Sequence, residues 1–179
     1  MMRKAGWLLA VLAVLLYQSL LPPAALAFET RRVVLVGPVD TAGYKSEAVD
    51  ALISGAWKRV FRYPFYEVVA ELRGVPAAGE ADLAELARAS EAEIIAAAEI
   101  VRLDDHTYQR GLWDDSETWQ DIRLELSIKT YDASAKAYQA FRVKRQQSQP
   151  LSVNSGPEPL IADAMDEVLA RIAFKRVPE

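Results

Sequence analysis

The sequence predicts an α/β fold of α+β-like character: a two-layer sandwich with a mixed five-stranded sheet and three helices on one face. Three observations carry that expectation. Arg32–Val36 is a short, nearly continuous apolar run closed by Gly37-Pro38, as in a buried strand. Two segments, around Val49–Phe61 and Leu160–Ala173, repeat apolar residues at helical spacing. From Trp119 to Lys129, apolar and polar residues alternate with the period of a strand that has one dry face.

The first strand, with apolar residues at consecutive positions, reads as central and buried on both faces. Ser46 offers an N-cap for a helix running to about Phe61. Its inward stripe is Val49, Leu52, Ile53, Ala56, Trp57, Val60 and Phe61, which assigns Trp57 to the core. Pro64 ends the helical region, and the aromatic, β-branched segment after it, as far as Val69, reads as a second strand. Gly74–Gly79 links to a short helix near Ala81–Ala89 with Leu83, Leu86 and Ala87 inward.

Ala92–Leu103 is assigned to a third strand. Its alanine-rich first half would tolerate a helix, but the preceding helix already ends near Ser90. In the next strand Ile122, Leu124, Leu126 and Ile128 alternate with Asp121, Arg123, Glu125, Ser127 and Lys129. Tyr131–Lys136 then turns, and Ala137–Gln147 returns with Phe141 and Val143 apolar. The outward residues Arg123, Glu125 and Lys129 should lie near Arg142 and Lys144 on a solvated sheet face. After the polar loop Gln147–Gly156, Pro159 suits the first turn of a last helix. The order is β-α-β-α-β-β-β-α, in which early βα units require parallel neighbours and later hairpins antiparallel ones.

The first 27 residues have the three-part layout of a secretory signal peptide. Arg3 and Lys4 are followed by an apolar run from Ala5 to Tyr17, and Ala25-Leu26-Ala27 precedes Phe28. The run is shorter than the ~20 residues of a spanning helix, and Pro22-Pro23 interrupt its continuation. Cleavage after Ala27 is expected, leaving residues 28–179 as one exported domain without a membrane span. The chain has no cysteine, so neither disulfides, thiolate chemistry nor lipidation is expected. The leader holds two basic and no acidic residues, so the net charge falls from −4 to −6 on cleavage. That balance disfavours nucleic acid and anionic membranes as partners.

The segment DDHTYQRGLWDDSETWQD, Asp104 to Asp121, holds the sole histidine, two tryptophans and many carboxylates. A nucleophilic triad needs a base beside its nucleophile, but His106 is the only histidine and no Gly-x-Ser-x-Gly elbow occurs. Zinc without cysteine would need several carboxylates around His106. Asp114, Ser116, Thr118 and Glu125 superficially follow a calcium-loop spacing, but Trp119 occupies the position that requires glycine, and Glu125 lies in a strand. No cofactor or metal is therefore expected. Asp115 and Glu117 lack a partner set that would set their pKa values apart as a glycosidase requires. The segment reads as a hairpin tip turning near Gly111, with a candidate contact surface of His106, Tyr108, Trp113, Asp114, Asp115, Glu117 and Trp119.

RRVVLVGPVD, the helix leading into FRYPFYEVV, ASEAEIIAAAEIVRLDD and the hairpin LELSIKTYDASAKAYQAFRV follow in an order that resembles a group of envelope domains. That group includes the amino-terminal domain of the TolB translocation protein and the curli-secretion lipoprotein. The resemblance covers most of residues 31–175 and carries no catalytic residues. It implies a binding or assembly module of the cell envelope, although the lipidation cysteine of the lipoprotein members is missing here. The expected function is an exported, non-enzymatic envelope module that contacts an envelope protein or cell-wall component. The alternatives are a small extracytoplasmic polysaccharide-acting enzyme using Asp115 and Glu117, or a carbohydrate-binding accessory using Trp113 and Trp119.

Overall fold

The structure, a computed structural model, describes residues 29–40, 42, 46–75, 79–111, 116–152 and 155–174. The expected leader, residues 1–27, lies outside the described residues. Five strands and three helices follow in the expected order: β1 Arg31–Asp40, α1 Glu47–Val60, β2 Tyr66–Leu72, α2 Glu80–Ser90, β3 Ile94–Arg110, β4 Glu117–Asp132, β5 Ala137–Pro150 and α3 Glu158–Arg171. The strands form one mixed sheet in the order β2-β1-β3-β4-β5. β1 runs parallel to β2 and β3, while β3–β4 and β4–β5 are antiparallel.

The helix ends follow from local chemistry. The Ser46 hydroxyl accepts from the Val49 amide at 3.4 Å, Glu47 and Asp50 lie in the first turn of α1, and Lys58 and Arg59 lie in its last. α2 closes in a Schellman turn. Glu91 takes a left-handed φ of 51°, its amide reaches the Arg88 carbonyl, and the Ala92 amide reaches that of Ala87 at 3.0 Å.

The three helices do not share one face, which corrects the two-layer expectation. Val33 and Leu35 of β1 join the core formed with α1 and α3, whereas Val34 and Val36 join a second core with Leu83 and Ala87 of α2. The strand order explains this. The chain steps outward from β1 to β2, then back across β1 to β3. Right-handed crossovers in opposite directions place their helices on opposite faces. The parallel end of the sheet is thus three layers thick, and α1 and α3 together cover the other face along β3, β4 and β5.

Past the helices the sheet continues. A bulge around Val101, where Ile100 faces Leu126 and Arg102 faces Glu125, resets the alternation so that Leu103 still points to the core opposite Leu124. β3 then runs on to Arg110 and β4 starts at Glu117. The expected long tip at Asp104–Asp121 is therefore mostly strand. Its two faces are both polar, so no apolar alternation marks it.

Candidate contact surface

From Leu103 β3 continues for seven residues, about 23 Å at the rise of a strand. β4 and β5 accompany it, making a three-stranded blade. Alternation and register divide its residues between two faces.

One face carries Asp105, Thr107 and Gln109 of β3, Thr118 and Gln120 of β4, and Gln147 and Gln149 of β5. Gln120 donates to both carboxylate oxygens of Asp105 at 2.8 and 3.0 Å, Gln109 donates to Thr118 at 2.9 Å, and Gln147 donates to Gln149 at 2.7 Å.

The other face gathers the predicted contact residues. Facing cross-strand pairs are Asp104 with Arg123, His106 with Asp121, Tyr108 with Trp119, and Arg110 with Glu117. The Arg110 guanidinium lies over the Trp119 ring, 4.5 Å from its centroid, and the Trp119 indole N–H donates to Glu117 at 3.3 Å. Tyr108 crosses β4 to bring its hydroxyl within 3.1 Å of Ser148 on β5. Asp121 accepts from Gln146 at 3.1 Å and lies 3.2 Å from Arg123. Tyr108 remains 43 % exposed and His106 is exposed, with no side-chain hydrogen bond among the described residues.

His106, Tyr108, Glu117 and Trp119 therefore share a face, while Trp113, Asp114 and Asp115 lie outside the described residues. The sequence reading missed Arg110, Asp121, Arg123, Gln146 and Ser148. The pairing of β5 with β4 brings Gln146 and Ser148 there, and the register of a hairpin closing at Ala133–Lys136 was the signal that could have located them. Nearer the body, Glu125 pairs with Arg142 and with Lys144 at 3.5 Å, and Lys129 pairs with Glu99 at 3.0 Å. That is the charged outer face expected for β4 and β5.

Among the described residues no group of three or more His, Asp or Glu side chains is placed to hold a metal ion. The charges of the blade are mostly paired with their neighbours, and its aromatic groups carry hydrogen-bonding edges. Such a surface is equipped for stacking and hydrogen bonding. The described cavities, lined by residues of the opposite end of the sheet, contain none of the blade residues.

Fold and surface together define a class: a mixed α/β domain with an antiparallel blade whose face carries aromatic and charged side chains. No protein-family model matches the sequence, and no curated protein matches it. Among solved structures it is similar to the PelC dodecamer of Paraburkholderia phytofirmans, with 14% identity, a TM-score of 0.43, and 82% of this chain and 90% of that one covered. It is also similar to the hypothetical protein CT253 of Chlamydia trachomatis, with 18% identity, a TM-score of 0.43, and coverage of 79% and 95%. A third is the lipoprotein GNA1162 of Neisseria meningitidis, with 13% identity, a TM-score of 0.39, and coverage of 79% and 99%. At these scores the likeness carries no function across.

Proposed function

We propose that the protein is an exported, non-enzymatic binding or assembly module of the bacterial cell envelope, with its contact surface on the blade. The observation that carries the reading is the blade face on which Tyr108 lies opposite Trp119 and Arg110 stacks over the Trp119 ring, with Tyr108 43% exposed. Loops and projecting hairpins positioned by a rigid scaffold are where proteins place their contacts, and Tyr, Trp and Arg dominate the energetics of such contacts. The leader at residues 1–27 supports export. The order of elements, which resembles that of envelope domains, supports the compartment.

In this reading cleavage after Ala27 leaves Phe28 at the amino terminus, and the partner is an envelope protein or a cell-wall component. The test is retention of the exported protein on envelope extract, compared with a Tyr108→Ala/Trp119→Ala variant of unchanged thermal stability. Partners retained by the wild type and lost from the variant support the proposal. Equal retention by both removes the blade as the contact surface. Amino-terminal sequencing of the exported protein checks for a start at Phe28.

A further inference from the structure

At the opposite end of the sheet from the blade, a cavity of about 550 Å³ opens beneath the ends of α1 and α3. Its walls include Glu29, Arg31, Tyr66, Asp132, Gln139 and Phe174. We propose that this cavity is a binding site for an organic ammonium ion, an amine carrying an apolar or aromatic arm.

The charges decide the sign of the ligand. Arg31 is the cation in the wall, and its guanidinium is already paired with carboxylates. It donates to the two Asp132 oxygens at 2.9 and 2.7 Å and to the Ser134 hydroxyl at 3.4 Å, and its Nε lies 3.8 Å from Glu93. With two carboxylates beside it, its charge is already compensated and offers an anion little net attraction. Glu29, by contrast, is exposed and makes no ion pair or side-chain hydrogen bond among the described residues. The Gln139 side-chain oxygen is buried without a hydrogen-bond partner. The spare capacity of the site is therefore that of acceptors, and a buried acceptor left unpaired is stabilised by any donor that reaches it.

Two further features favour a cation. Phe61, Tyr66 and Phe174 form an aromatic cluster with ring centroids 5.1–6.3 Å apart, two of whose members line the cavity, so their π faces are fixed in place. α1 ends at Val60, beside Phe61 of that cluster, and α3 ends two residues before Ala173 of the wall. Both helices thus direct their partially negative carboxyl ends toward the site. The basic residues of those last turns are engaged elsewhere: Lys58 with Glu71, Arg59 with Asp166 and Arg171 with Glu167.

An ammonium head near Glu29 and Gln139, with its arm on Phe174 and Tyr66, satisfies all of these groups at once. The test is a titration of the purified protein with phenethylamine and, separately, with the similarly sized anion 3-phenylpropanoate, followed by NMR. The proposal predicts saturable shifts at Gln139 and Phe174 with the amine and binding of the anion at least about tenfold weaker. Glu29→Gln, a change at an exposed side chain, lowers amine affinity about fivefold with the folded spectrum retained. Equal or tighter binding of the anion, no saturable binding of the amine, or an amine affinity unchanged in Glu29→Gln would each overturn it.

Discussion

Arg31 and Asp132, 101 residues apart, join the first strand of the fold to the end of the fourth through two parallel N–H···O contacts of 2.9 and 2.7 Å. Asp132 also accepts from the amides of Ser134 and Ala135 at 3.0 Å, so one carboxylate closes the β4–β5 turn and clamps β1 to it. Its side chain is 17% exposed and that of Arg31 27%, which leaves the pair only partly screened. Asp132→Ala is expected to lower stability by about 2 kcal/mol. Asp132→Asn, which keeps an acceptor for the turn, should cost less. Urea unfolding of the two variants separates the clamp from the turn.

The same pair sets an acid limit. Burial pushes the Asp132 carboxyl upward, but the Arg31 hydrogen bond and the amides of Ala135 and Ser134 outweigh it, so its pKa lies below the ordinary value. The unfolded chain then binds more protons than the folded one between the two pKa values, and stability falls as pH drops through that window. The contribution is whole above about pH 5 and is lost progressively below it. Arg31 shifts the other way: the Asp132 hydrogen bond raises its pKa, and its contribution is lost only in strong alkali. Unfolding midpoints measured from neutral pH downward should fall less steeply in Asp132→Asn than in the wild type.

Much of this architecture was legible, and the parts that were not share a cause. The Ser46 cap and the stripe ending at Phe61 are local, so periodicity and capping chemistry located them. The face on which α2 packs depends on strand order, which no local pattern states. One hint was present: four consecutive apolar residues, Val33–Val36, require cover on both faces of the sheet. The bulge at Val101 and the length of the blade were invisible for a different reason. Both faces of the blade are solvated, so His106 and Thr107 carry no burial signal to distinguish strand from loop. The second strand starts at Tyr66, within the segment expected after Pro64, and Tyr63 is 80% exposed in the turn before it.

Trp57 anchors the core between α1 and the sheet, 1% exposed and stacked on Phe61 with ring centroids 5.7 Å apart. Its indole nitrogen is buried without a hydrogen-bond partner. Trp57→Ala should cost about 4 kcal/mol through lost contacts and the cavity left behind. Trp57→Phe leaves a smaller cavity and removes the unpaired donor, so its cost should stay below half of that. Thermal unfolding of the two variants tests the ordering, and a Phe variant as damaged as the Ala variant would show that the indole N–H is bonded in solution.

Glu91 holds a left-handed φ of 51° at the end of α2, a conformation that glycine adopts without the Cβ clash. Its ion pair with Arg32 spans 3.4 Å with the Glu91 side chain 84% exposed, so little stability is lost with it. Glu91→Gly is expected to raise the free energy of unfolding slightly, by about 0.5 kcal/mol, read from urea unfolding. Glu91→Ala, which keeps the strained backbone and loses the pair, should not.

The proposed contact surface can be tested apart from stability. Tyr108 and Trp119 face each other beyond the last core pair, Leu103 opposite Leu124, and neither supports either hydrophobic cluster. Replacing both with alanine removes a cross-strand aromatic pair and the Arg110 stack, about 1 kcal/mol in total. The unfolding midpoint should therefore move little, whereas retention on an envelope partner should fall at least about tenfold if this face makes the contact. Lys144→Ala, on the same side of the sheet but nearer the body, provides the control: its ammonium lies 3.5 Å from Glu125 at 74% exposure, and its loss should leave retention unchanged. A double variant that retains its partner as the wild type does moves the contact off the blade. A double variant that unfolds shows instead that the blade is integral to the fold.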